Sequence, residues 1–180
     1  ENGAGRVALL GRNPDPEGPA MTAVREAGAE AVALKTDISD PTALKAALDE
    51  LLRTGPALRG AFHAAAHLEA VPLSELSDAE VHAMFAPKIE GTLALINALI
   101  EREADFLTLF SSTTAVIGAP GFAHYAAANA FLDARAEAPS DSSLKILSLG
   151  WGTWEAMRMA SDDVQRTYSE QGLKPMPAED

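Results

Sequence analysis

The sequence predicts an α/β fold, a doubly wound parallel sheet with helices on both faces. Short apolar runs alternate along the chain with longer helical stretches, the pattern of right-handed βαβ units around a buried parallel sheet. Proline and glycine mark several of the junctions between these stretches. Apolar residues make up 47% of the 180, and mean hydropathy is near zero, as in an ordinary packed interior. That length suits one domain with a sizeable core.

The elements follow in order. Arg6–Gly11 reads as a short buried strand, after which Pro14, Asp15, Pro16 and Gly18 mark a loop. Ala20–Ala27 is helical and stops at Gly28. Ala31–Leu34 is the second strand. Asp40 and Pro41 supply an N-cap and a proline at the first helical position, opening a helix to about Arg53. Gly55-Pro56 ends it, and Leu58–His63 is the third strand. A long helical stretch over Asp78–Glu103 is interrupted by Pro87. Phe106–Phe110 is the fourth strand, Tyr125–Glu137 a helix and Lys145–Leu149 the fifth strand. From Trp151 to Asp180 the periodicity fades, as in a lid or a tail.

Charge and composition exclude several functions. With 14 basic against 26 acidic residues the chain carries −12, which repels phosphate backbones, so nucleic acid is not an expected partner. There is no cysteine, hence no disulfide framework and no thiolate chemistry. No apolar run approaches the ~20 residues of a membrane span, and no charged-then-apolar leader opens the chain. The expectation is a soluble, cytoplasmic, single-domain protein.

Hydroxyls crowd the end of the fourth strand in Ser111-Ser112-Thr113-Thr114, and the carboxyl ends of such strands are where ligands bind. Thirteen residues after Ser112 stands Tyr125, and four further on Asn129, on the same helical face. The plainer reading makes these a half-buried aromatic and a surface amide. Lys88 adds weight to the other. At ~100° per residue it falls beside Thr92, Leu95 and Leu99, away from the polar arc of Glu90, Asn97 and Glu101. A lysine on an apolar face needs a task or a partner, unless it snorkels to water near Pro87.

Together Lys88, Ser112, Tyr125 and Asn129 resemble the catalytic set of the short-chain dehydrogenase/reductases, whose fold is Rossmann-like. More narrowly, they resemble the ketoreductase domains of polyketide synthases, where asparagine rather than lysine follows the tyrosine by four. The matching stretches are Ala86–Thr92, Leu109–Ser112, Gly118–Gly121, Tyr125–Asp133 and Trp151–Trp154, in order along the chain. The resemblance implies NADPH-dependent reduction of a β-ketoacyl thioester, carried by an acyl carrier protein, to the β-hydroxyacyl form, beside neighbouring synthase domains. Hydride delivered to a ketone leaves charge on oxygen that must be stabilised and protonated. Tyr125 would supply the proton from a phenol of ordinary pKa about 10, with the Lys88 ammonium lowering that value. Ser112 would donate to the carbonyl oxygen, and Asn129 would position Lys88 or an ordered water.

For the cofactor, the resemblance assigns Arg12 to the ribose 2′-phosphate of NADPH, although a solvated loop charge is the alternative. Asp37 and Ile38 resemble the adenine-contacting pair. Ala64, Ala65 and Ala66, after His63, resemble the segment that lines the cofactor, where small side chains let the backbone come close. The strand and glycine-rich loop that would cradle the pyrophosphate are missing. The expectation is therefore a domain over 1–180 truncated at both ends, with a gap between Arg6–Gly11 and Leu58–His63 where the first strand belongs.

His63, His67, His82 and His124 do not form a ligand pattern, and no metal is expected. Two other functions remain open. One is a reductase-inactive structural or epimerising relative, and the other a free-standing short-chain dehydrogenase, which Asn129 disfavours. Family markers for the product's hand, Leu-Asp-Asp at Leu68-Glu69-Ala70 and tryptophan at Ile117, are both replaced. Carrier proteins are usually acidic like this chain, so tethering, with a local basic patch near Arg158 or Arg166, is the expected mode of encounter.

Overall fold

The computed structural model describes residues 3–154, 166, 169–170, 172 and 174–177. Arg158 and most of the expected lid lie outside these. The order is β1 (Arg6–Gly11), α1 (Pro19–Glu26), β2 (Glu30–Lys35), α2 (Pro41–Arg53), β3 (Gly60–His63), α3 (Asp78–Phe85), a π turn (Ala86–Glu90) and α4 (Gly91–Ile100). Then come β4 (Phe106–Ser112), α5 (Thr114–Ile117), α6 (Ala123–Glu137) and β5 (Lys145–Trp151).

All strand pairs are parallel, as the alternating pattern requires. β1 pairs with β2, and β3, β4 and β5 form a second sheet in that order. β1 and β3 thus belong to separate sheets, the arrangement expected around a missing strand. Side chains join the two. Leu44, Leu48 and Leu51 of α2 and Leu95 and Leu99 of α4 share one core with Leu107 and Leu109 of β4, and Leu10 and Leu34 pack against it.

The helix ends have local causes. The Asp40 carboxylate accepts from the amides of Thr42 and Ala43 at 2.9 and 3.0 Å, capping α2 where the sequence placed the cap. Gly28 turns left-handed at φ +83 to close α1, its amide donating to the Arg25 carbonyl. Ser77 and Glu80 close a capping box at the start of α3.

Some expectations need correction. The long helix ends at Ile100, not Glu103, because Glu103 takes a left-handed φ of 53. β4 extends through Ser112 and β5 through Trp151, since Ser112 and Trp151 are in register as the last pair of the two strands. Trp151 is therefore sheet rather than tail. Trp154 bridges Met176, and the Met176 amide donates to the Thr153 carbonyl at 2.7 Å. Asp78–Ile100 runs as 23 helical residues, long and apolar enough to cross a membrane by length and composition only, although Asp78, Glu80, Lys88 and Glu90 interrupt its apolar residues. Half of that window is buried within the fold, as in a core helix.

Candidate active site

Pro87 sets the site's geometry. It has no amide hydrogen and its ring crowds the preceding turn, so an α-helix cannot pass it undisturbed. The chain widens into the π turn, with the Gly91 amide donating to the Ala86 carbonyl five residues back. Side chains take the carbonyls this turn releases. The Thr92 hydroxyl donates to the Lys88 carbonyl, and His63 Nε2 lies 3.0 Å from the Pro87 carbonyl.

Lys88 is thereby turned inward, only 2% exposed. Its Nζ donates to the Phe110 carbonyl at 2.8 Å and stands 5.5 Å from the centroid of the Tyr125 ring. It does not snorkel. Burial pushes its pKa down from 10.5 to about 8, against the opposing pull of the Asp133 carboxylate.

Tyr125 sits half-buried near the start of α6, its ring edge-on to Phe122 with centroids 6.2 Å apart. Burial raises its pKa above 10.0, while hydrogen bonding to Asn129 and Ser112 pulls the other way. The net direction is opposite to the lowering expected from Lys88. The reason is physical: desolvation of the phenol is the largest cause.

Asn129 is no surface amide; it is fully buried. Its Nδ2 donates to the Tyr125 carbonyl at 2.8 Å, so it braces α6 rather than holding Lys88. Its Oδ1 is buried without a hydrogen bond among the described residues. Ser112 Oγ accepts from the Thr114 amide at 3.2 Å, which leaves its hydroxyl proton for another acceptor. Ser111, which the sequence did not single out, ties β4 to α6 by donating to the Asn129 carbonyl at 3.3 Å.

This geometry is that of known proteins. The family described as the KR domain matches residues 1–156. The chain belongs to the ketoreductase domains of polyketide synthases, within the short-chain dehydrogenase/reductases. A ketoreductase domain from the bacillaene assembly line superposes with a TM-score of 0.85 at 30% identity, over 97% of this chain and 44% of that one. The ketoreductase from the first module of phoslactomycin biosynthesis in Streptomyces sp. HK803 also gives 0.85, at 34% identity over 97% and 41%. An erythronolide synthase of Saccharopolyspora erythraea is 35% identical over 97% of this chain but 6% of its own length. The chain therefore spans a small part of the synthases it matches, and less than half of the solved ketoreductases.

The remaining predicted residues lie on other strand ends of this ketoreductase. Arg12 and Asp37 follow β1 and β2, which end together at Gly11 and Lys35. Asp37 Oδ1 accepts from the Ser39 amide and hydroxyl at 3.0 and 2.7 Å. Those bonds, with the nearby Arg12 charge, hold its carboxyl below the usual range. Ile38 lies against α4, where its Cγ2 would meet a Cβ on Gly91 at 2.8 Å. Ala64 and Ala65 are exposed and Ala66 half-buried beyond β3.

These residues fit the adenosine end of a nicotinamide cofactor. Arg12 is an exposed cation and Asp37 an ionised acceptor at the same sheet edge, and beside them the buried Thr36 hydroxyl has no hydrogen-bond partner among the described residues. A cleft of about 680 Å³ opens beside Ser112, walled by Val116, Ile117, Asp133, Leu147 and Ser148. Asp133 is fixed there by accepting from the Ser148 hydroxyl at 2.6 Å.

Proposed function

We propose that this ketoreductase domain reduces the β-keto group of an acyl thioester, presented by an acyl carrier protein, to the β-hydroxyacyl form with NADPH. The observation that carries this reading is the buried Lys88, held by strand β4 against the ring of Tyr125, with Ser112 and Asn129 at the phenol. A lysine is not buried for stability, because desolvating the ammonium is costly.

When bound, NADPH supplies the hydride. Arg12 would meet its 2′-phosphate, Asp37 its adenine, and the small side chains of Ala64, Ala65 and Ala66 would let the backbone approach it closely. Ser112, beside the phenol, donates to the substrate's carbonyl oxygen and orients it. Tyr125 donates the proton that the developing alkoxide requires. Its raised pKa keeps that proton in place until charge appears on the substrate oxygen. Lys88, with a pKa of about 8, then stabilises the phenolate that remains. Asn129 holds the turn of α6 that carries Tyr125.

The experiment is NADPH oxidation with a β-ketoacyl thioester, comparing the parent with Tyr125→Phe. That change keeps the ring and removes the proton, so turnover falls ~10²–10⁴-fold while thioester binding is retained. A Tyr125→Phe variant within a few-fold of the parent overturns the assignment.

A further inference from the structure

His63 lies outside the four residues discussed, yet it touches the turn that carries one of them. It is the last residue of β3, 3% exposed, and pairs in register with Leu109 of β4. The next residue of β4, Phe110, provides the carbonyl that receives Lys88 Nζ at 2.8 Å. His63 Nε2 reaches the Pro87 carbonyl at 3.0 Å. The π turn is thus pinned to the same pair of strands at two consecutive residues, Pro87 and Lys88.

We propose that His63 is a positioning residue for Lys88: its Nε2–H, given to the Pro87 carbonyl, holds the π turn in the form that seats the lysine against Tyr125. A carbonyl oxygen only accepts, so the proton must be on Nε2, which fixes the ring's tautomer. The turn needs such a clamp. Proline has removed one rung of the helical ladder, and a turn whose Pro87 carbonyl has lost its donor is less firmly held and lets Lys88 shift with it.

The charges around the pair favour the same state. Lys88 from the π turn bears on His63, and Asp133 and Tyr125 from α6 face Lys88. Burial and the Lys88 charge push the imidazole's pKa down to about 4. The ring stays neutral, donating through Nε2, across the range in which Lys88 changes charge.

The inference rests on the reading of Lys88 as a working residue, and its test separates the two. Lys88 is titrated by carbon-13 NMR at Cε in the parent, in His63→Phe, which fills the space without a donor, and in His63→Gln, which restores one. The parent midpoint lies near 8; His63→Phe moves it toward the ordinary 10.5, and His63→Gln returns it to within half a unit of the parent. In the reductase assay His63→Phe lowers kcat at least tenfold with little change in KM for the thioester, and His63→Gln recovers most of it. An unmoved midpoint in folded His63→Phe, or no rescue by His63→Gln, overturns the proposal. If His63→Phe does not fold, nitrogen-15 NMR of the parent decides: a proton on Nε2 supports the clamp, and one on Nδ1 overturns it. Lys88→Met retaining full turnover defeats instead the catalytic reading of Lys88, whatever the titrations show.

Discussion

Lys88 on the π turn gives a proton to the Phe110 carbonyl at 2.8 Å while its Nζ stands 5.5 Å from the centre of the Tyr125 ring. One buried cation is therefore shared between strand β4 and the phenol that α6 presents. Neither neighbour is a carboxylate in direct contact, so the charge is only partly compensated, which is why burial dominates its pKa.

Lys88→Met follows from this. The folded value is about 8 and the ordinary one 10.5, so between them the unfolded chain binds more protons and stability rises with pH. Below pH 8 the burden is complete. At neutral pH, Lys88→Met should raise unfolding free energy by up to about 3 kcal/mol, at ~1.4 kcal/mol per pKa unit, while abolishing most turnover. Urea unfolding at pH 7 and at pH 10 checks it, with the gain shrinking at the higher pH.

His63 gives the acid-side counterpart. Its folded value of about 4 lies below 6.5, so the unfolded chain takes up the proton first as pH falls. Stability on this account is intact above pH 6.5 and falls progressively to pH 4, by about 3 kcal/mol. Denaturation midpoints across that range should flatten in His63→Gln, where nothing titrates.

Arg12→Ala removes an exposed cation from the carboxyl edge of β1. A charge-assisted contact to a phosphate is worth about 1.5–3 kcal/mol, so KM for NADPH should rise ~10–100-fold. KM for NADH, which lacks that phosphate, should change little. Equal losses for both cofactors would remove Arg12 from the 2′-phosphate.

Gly91→Ala tests the joint between the two sheets. Alanine is the better helix former, yet its Cβ would stand 2.8 Å from Ile38 Cγ2, on a β-branched side chain with little room to turn. The expected cost is ~1–3 kcal/mol by thermal unfolding, largely relieved when Ile38→Ala is added.

The five strands were legible because each is an apolar run bounded by turn residues, and α2 because Asp40 and Pro41 announce it. Pro87 marked a break in the long helix, but not that the break is a π turn, since that depends on which side chains receive the released carbonyls. Lys88, Tyr125 and Ser112 could be singled out by residue type and spacing. The Phe110 carbonyl could not, because every residue has one and only the β3–β4 register selects it. His63 was visible merely as a histidine at a strand end. The approach of Ile38 to Gly91 could not be read either, since the two lie more than fifty residues apart and only tertiary packing brings them together.

The π turn also limits how this stretch of chain can vary in length. Each residue of a helix advances the azimuth by ~100°, and the wide turn absorbs one extra residue between α3 and α4. Pro87 keeps the wide turn in place, so deleting a single residue after it would rotate α4 by about a quarter turn. Thr92, Leu95 and Leu99, all buried, would leave the core together with the lysine. Loops on the rim of the sheet can gain or lose residues with little consequence. Along this helix the reading frame of the fold is fixed, and a one-residue slip would cost folding and chemistry in the same step.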